Sequence, residues 1–385
     1  MTTARLRAWW AHRQGLDGTL RGTSAAEVLE RTGWARSVGG SAPYLGLFAR
    51  AGLRREAVDA DVARLVIHEL PSARGCTYVL PEADFALGLA VGAGAPEGEL
   101  AAAEKHLAVT REEIGKLCDV VLDVLGDEPL DPAKLKAASG TAVRNLGDAG
   151  KKRGVTTTLP LALGLLQAQG EIRRVPVNGR LDQQRYGYVR WVPRTPPSDV
   201  DAELARRYFA WAAPASLKHF RWFSGRTAAA AKKAVESLEL QPVEGTDLLL
   251  PKDLAAEFEA FTVPDKPSYA LVAGIDGVHL LHRDLPRLLD PADAERPVPG
   301  GKGTLGGEAD PPCHLIVDRG RLAGLWEFDV GTGKIVHRFF GREDDALREA
   351  VAATEEFVRE DLGDARSFSL DSPKSRAPRL AALRA

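Results

Sequence analysis

Apolar positions recur at helical spacing through most of the chain and give way at intervals to short β-rich runs. Thr23 or Ser24 can cap a helix through Glu30, with Glu27 at the capping-box spacing after Ser24. A second short helix is predicted over Tyr44–Ala51, with Leu45, Phe48 and Ala49 apolar, and a third over Ala57–His68. The Gly-entered run ARGCTYVLP at 73–81 then reads as a strand. Three short helices followed by a strand pair is the outline of a winged helix. Residues 92–100, GAGAPEGEL, read as a linker.

Leu107, Ile114, Leu117, Val121 and Leu125 predict a helix over 101–127, and Asp131-Pro132 opens another that ends near Gly147. In TTTLPLALGLLQAQG, Thr157 or Thr158 can cap, Pro160 sits in the first turn and Gly170 stops the helix. The strand EIRRVPV reaches the turn signal Asn178-Gly179, and QRYGYVRW returns after RLDQQ. Pro193–Asp199 is a linker, followed by a third helical module, YFAWAAPASLKHFRWFSG and TAAAAKKAVESLEL. Short strands broken by Gly and Pro from Thr246 to His337 suggest a β-barrel-like domain. Residues 343–362 form one amphipathic helix, and the basic tail after Ser367 is expected to be disordered.

The predicted fold is therefore α+β: three tandem winged-helix modules at 1–92, 101–193 and 200–248, a β-barrel-like domain at 249–342, and a helix and tail at 343–385. The length, 385 residues, suits several cores rather than one. No apolar run is long enough to span a membrane, and the charged N-terminus lacks the apolar stretch of a secretory signal. Cys76, Cys118 and Cys313 lie far apart without ligand spacing, which argues against a zinc site or disulfide framework and for a cytoplasmic address.

Charge changes the picture more. The chain carries 51 Lys and Arg against 53 Asp and Glu, yet Ala133–Thr195 holds twelve basic residues against three acidic ones. Lys151, Lys152 and Arg153 precede the capped helix, whose Thr156 and Thr157 can present backbone N–H groups to a phosphate. Arg173, Arg174, Arg180 and Arg185 lie on the ribbon after it. This island predicts a polyanion partner, double-stranded DNA above all. GGKGTLGG at 300–307 lacks the strand and helix context of a phosphate loop and reads as a flexible loop. His282, Asp284 and Asp290 are not at metal-ligand spacing, and Trp9, Trp10, Trp211, Trp222 and Trp326 read as core anchors.

In sequence order, RAWWAHRQGLDG (7–18), SAPYLGLFARAGL (41–53), HELPSARGCTYVLPEAD (68–84), YFAWAAPASLKHFRWFSG (208–225), LLHRDLPRLLD (280–290) and HLIVDRGRLAGLWEF (314–328) resemble the winged-helix DNA glycosylase superfamily, the AlkZ/YcaQ-like proteins. The resemblance implies three winged helices cupping DNA, closed by a small barrel. It implies excision of alkylated or crosslinked purines at the N-glycosidic bond, without metal or organic cofactor. The family's Gln-x-Gln or Gln-x-Asp pair, which positions the attacking water, falls here most naturally on Ala35 and Ser37, or one residue away, and no Gln, Asp or Glu lies between Thr32 and Leu53. A cleaving site needs a carboxylate or amide to hold water and stabilise oxocarbenium charge. Glu69 beside His68 can supply a base and a positioning group, although an ion-paired residue at a helix end is the simpler reading. Gln14 is the nearest remaining amide, and helix-surface packing explains it as easily. Three functions stay open: a monofunctional glycosylase, a non-catalytic binder of damaged DNA, and a winged-helix transcription regulator dimerising through 343–362. The expected partner is double-stranded DNA, alkylated or crosslinked for the first two, and the expected chain is a cytoplasmic, nucleoid-associated monomer, the regulator alternative excepted.

Overall fold

A computed structural model describes residues 2–192 and 194–385, so the expected segment ends at Met1 and Pro193 lie outside the described residues. The chain is a mixed α/β protein of short helices and small antiparallel sheets. It opens with α1 (Thr3–Arg13) and α2 (Ala25–Thr32), the latter capped by Ser24, whose hydroxyl oxygen accepts from the Glu27 N–H. Then follow β1 (Ala35–Arg36), α3 (Ala42–Ala51), α4 (Arg55–Ala63), β2 (Ile67–Pro71), β3 (Thr77–Pro81) and α5 (Phe85–Gly92). The strands order β1-β3-β2, with Ala35 opposite Val79 and Val79 opposite Glu69. The helix expected over Ala57–His68 is corrected here. α4 stops at Ala63, Leu65 turns the backbone at φ 59°, and His68 and Glu69 lie within β2. The β-branched pair Val66-Ile67 favours extended backbone, and β3 supplies its partner.

Next come α6 (Glu97–Leu107), α7 (Arg111–Val124), α8 (Pro132–Ser139), α9 (Gly147–Lys151), α10 (Leu159–Gln169), β4 (Ile172–Pro176) and β5 (Tyr186–Arg190). The linker expected at 92–100 shrinks to a turn, because α6 begins at Glu97. The single helix expected over 101–127 is two: Ala108 is left-handed at φ 48°, and Thr110 accepts from the Glu113 N–H to start α7. α8 ends at Ser139, short of Gly147. α10 carries Pro160 in its first turn and ends on left-handed Gly170, and β4 pairs with β5 from Ile172–Arg190 to Pro176–Tyr186.

The chain continues through α11 (Val200–Ala212), α12 (Leu217–Ser224), α13 (Ala228–Ala234), the hairpin β6 (Leu240–Pro242) and β7 (Leu249–Pro251), and α14 (Ala255–Ala260). β8 (Tyr269–Val272) precedes three single-turn helices, α15 (Gly277–Leu280), α16 (Leu285–Leu288) and α17 (Pro291–Ala294). The chain ends with β9 (His314–Asp318), β10 (Arg321–Asp329), β11 (Lys334–Phe339), α18 (Asp345–Phe357) with a wider-wound continuation to Leu362, and α19 (Pro373–Arg384). β11-β10-β9-β8 form an open sheet, so among the described residues the expected barrel does not close. Four strands are too few to wrap a core, and α18 and α19 pack against the sheet instead. The tail expected to be disordered is α19, held by Arg376, which is 1% exposed and pairs with Asp364 at 2.8 Å.

Burial falls into three cores. One, around Ile114, Leu135, Leu163 and Ile172, belongs to residues 100–188 alone. The other two mix the first ninety residues with later elements: Trp9, Trp10 and Trp211 share one, and Leu45, Val79 and Trp326 share the other. The tryptophans read as anchors are buried, except that Trp222 is only partly so.

Candidate functional site

Side chains alternate across a strand, so Ala35, Val79 and Glu69 share one face of the first sheet. The chain keeps pairing past β1, with the Ser37 N–H donating to the Thr77 carbonyl at 3.0 Å. This brings the Ser37 hydroxyl to Glu69, where it donates to Oε1. The Tyr186 hydroxyl, from β5, donates to Oε2 at 2.8 Å. Glu69 is 4% exposed, and among the described residues no basic side chain comes within ion-pair distance of it. The helix-end ion pair is therefore corrected: Glu69 is a strand carboxylate buried between hydroxyls. Burial raises its pKa above the ordinary value, against the opposing pull of the Ser37 bond, the Arg174 charge and the Tyr186 bond. Burial, then the neighbouring Glu69 charge, pushes the Tyr186 phenol well up as well.

The neighbour in sequence goes elsewhere. His68 points to the opposite face, edge-on to Phe85 and Trp191, and burial pushes its pKa down to about 3. His68 and Glu69 thus do not act on one atom. Gln14 is also buried; its amide nitrogen donates to the Thr32 carbonyl at 2.8 Å and the Trp211 carbonyl at 3.3 Å. Its oxygen accepts from Arg50, which is clamped on Asp276 at 2.7 Å. Gln14 and Ala35 do line one void, but at about 30 Å³ it has room for little more than a water.

A cleft of about 590 Å³ opens between the β2–β3 turn and the helices and ribbon of the second segment. Thr77, Lys136, Thr156, Thr157, Gln167 and Arg174 are among its walls. Arg174 joins cleft and carboxylate, because its guanidinium lies 5.0 Å from the Tyr186 ring centroid. The ribbon's tip closes on the strand end after Ser37: a Cβ on Gly39, at φ 70°, would sit 2.2 Å from Gln184 Cγ, so only glycine fits.

The basic residues divide. Lys151, Lys152, Arg153 and Arg185 are exposed, with Lys151 3.4 Å from Asp148, while Arg173 is partly buried. Thr156 is exposed and Thr157 buried. Arg180 is spent on the fold: it grips Asp182 through two bonds and donates to the Leu362 carbonyl at 2.9 Å. Tyr186 and Lys136 escaped sequence reasoning, since only the ribbon's register and the packing of α8 bring them to the site. Tyr186 sat in a strand that was predicted, but no local pattern marks its hydroxyl.

The cleft is lined by Lys136 and Arg174 against Glu99, and the Glu69 carboxylate lies beside it behind Tyr186. The chain belongs to the AlkZ-like DNA glycosylase family, whose model (DNA glycosylase AlkZ-like) matches residues 29–357. Among solved structures it is similar to the Streptomyces sahachiroi DNA glycosylase AlkZ, with a TM-score of 0.71 and 19% identity, over 96% of this chain and 98% of that one. At that identity the likeness concerns the fold. No curated protein matches the sequence significantly. Among the described residues, no helix is long and apolar enough to cross a membrane.

Proposed function

We propose that this protein binds duplex DNA over the cleft and hydrolyses the N-glycosidic bond of alkylated or crosslinked purines, with Glu69 as the site's carboxylate. One observation carries the reading: the position that faces Glu69 is Ser37, one of the two positions where the family's polar pair falls. An acid has thus arrived from β2 at the place where β1 lacks one. In the reaction, Glu69 would accept a proton from the attacking water and offset the positive charge developing on the sugar. Ser37 and Tyr186 fix its two oxygens, and the Arg174 charge favours the ionised form against the burial that raises its pKa. Withdrawal of Tyr186 with its ribbon would admit water to Oε2. We read 1–92, 101–193 and 200–248 as three winged helices that cup the duplex, with Lys151, Lys152, Arg153, Arg173 and Arg185 on phosphates. The 249–342 and 343–385 segments brace that scaffold.

A second reading, a non-catalytic binder of damaged DNA, is favoured by the burial of Glu69 and the occupation of both its oxygens. Counting abasic sites on duplex DNA carrying N7-alkylguanine or a nitrogen-mustard crosslink separates the two. A glycosylase releases base, and Glu69→Gln lowers the rate by at least about a hundredfold while duplex binding persists. Binding without release in the unaltered protein establishes the binder.

A further inference from the structure

The turn between β2 and β3 carries a group that the proposed reaction does not use. Arg74, at its apex, is left-handed (φ 59°, ψ 23°), and Gly75 follows at φ 66°. Few side chains adopt that backbone unless their surroundings hold them there. The Arg74 guanidinium carbon lies 4.0 Å from the Trp222 ring centroid, and that of Arg283 lies 5.0 Å from the same ring. Gly225, which ends α12 at φ 71°, leaves room for the arginine stem, because a Cβ there would come 3.1 Å from Arg74 Cγ. Arg36 completes the group, 5.4 Å from the Tyr78 centroid and donating to the Thr77 carbonyl at 2.8 Å.

These side chains line a cavity of about 240 Å³. Arg36 and Tyr78 project from the sheet face opposite Ala35 and Glu69, so it is separate from the carboxylate site. Its charge is only partly compensated: Arg36, Arg74, Arg283 and Arg379 line it, against the Asp310 carboxylate. Arg283 is taken by Asp310 at 2.6 Å, but among the described residues Arg36 and Arg74 have no carboxylate within 4.0 Å. A guanidinium stacked on an indole keeps its N–H edge free, and that edge matches paired phosphate oxygens. The volume is below the roughly 300–1,000 Å³ of whole small-molecule sites, so the pocket suits one group of a larger ligand. On the other side of the same turn, Pro71, Gly75 and Thr77 line the large cleft.

We infer that Arg74, shelved on Trp222, and Arg36 clasp one phosphate of the DNA backbone, the strand crossing the β2–β3 turn on its way from the cleft. The inference rests on the DNA-binding reading above. A free phosphate ion has the same chemistry, and the test distinguishes the sources. Binding of a labelled duplex is measured between about 50 and 200 mM salt for the unaltered protein, Arg74→Gln and Arg74→Lys; the glutamine should lower the log–log salt slope by about 0.9, one phosphate's worth. The lysine should restore the slope but not the full affinity, since it keeps the charge and loses the fork. Arg74 is exposed, so both variants should fold. Duplex binding with slope and affinity unchanged in Arg74→Gln overturns the inference. If the unaltered protein binds no duplex, the DNA reading itself has failed, and titration with inorganic phosphate followed by tryptophan fluorescence decides. A response lost in Arg74→Gln keeps the site as one for free phosphate, and no response overturns it.

Discussion

Tyr186 donates to Glu69 Oε2 at 2.8 Å, a single bond that ties the ribbon of the second segment to a buried strand of the first. A hydroxyl bonded to a charged acceptor is worth about 1.5–3 kcal/mol when that acceptor cannot reach water. Tyr186→Phe should therefore destabilise the protein by that order, and raise the Glu69 pKa further because a bond that lowers it is gone. Urea unfolding at two pH values reads both effects: the deficit should be larger at pH about 8 than at pH about 5, since the lost bond serves the ionised carboxylate. An equal deficit at both would mean that Glu69 does not change its protonation between them.

Glu69→Gln makes the same point from the other partner. The folded-state pKa of Glu69 lies above its ordinary 4.5, so the folded chain holds this proton more tightly than the unfolded chain. Stability from this group is present in full below 4.5 and is lost as pH rises through the elevated folded value. The glutamine cannot ionise, so the stability difference between variant and unaltered protein should shift in the variant's favour over that window. Unfolding midpoints collected across the range measure it, and a pH-independent difference would contradict the assigned shift.

The sequence showed helix caps and turn glycines well, because Ser24, Pro160 and Gly170 act through local backbone geometry. It failed where a partner distant in sequence decides the outcome. His68 and Glu69 looked like a helix end until β3 paired with them, and pairing then sent the two side chains to opposite faces. Arg376 and Arg379 looked like a solvated tail because Asp364 and Glu327, which receive them, lie 12 and 52 residues away. Arg180 differs: Asp182 lies only two residues on, and it is the Leu362 carbonyl, 182 residues away, that ties this pair to the scaffold. The basic island was legible as charge, but how it divides between surface and scaffold was not.

That division is testable by salt dependence. Lys151→Ala with Lys152→Ala and Arg153→Ala should weaken duplex binding and lower the salt slope by roughly 2–3, with little change in stability, because all three side chains are exposed. Arg180→Ala should do the reverse. It unpairs Asp182, which is 6% exposed, and frees the Leu362 carbonyl, so it should cost about 3 kcal/mol while leaving the slope nearly unchanged. Fluorescence-anisotropy titrations and urea unfolding separate the two variants.

Gln14 gives a check on the carboxylate reading. Gln14→Ala strips Arg50 of one acceptor and leaves the Thr32 carbonyl without its donor, a loss of about 1–3 kcal/mol. Base release, measured well below the variant's melting temperature, should stay within a few-fold of the unaltered protein. A hundredfold fall at retained folding would move the reacting water to Gln14 and away from Glu69.

In α19, which carries Pro378 within it, Arg376 is only 1% exposed. Its guanidinium meets Asp364 through two bonds of 2.8 Å and the Phe328 carbonyl at 3.4 Å, so the end of the chain is bolted to β10 and to the loop after α18. Asp364 keeps a quarter of its side chain in water, which puts the loss on breaking the pair toward the lower end of the buried-pair range, about 3 kcal/mol. Arg376→Met retains the buried stem and removes only the charge, so packing is spared and the pair is tested by itself. Brief trypsin treatment should leave the C-terminus intact in the unaltered protein and cleave at Arg379 and Arg384 in the variant, as α19 lifts from the sheet and Arg379 leaves Glu327. Equal resistance in both would show that apolar packing of Leu380 and Leu383 holds the helix without the ion pair.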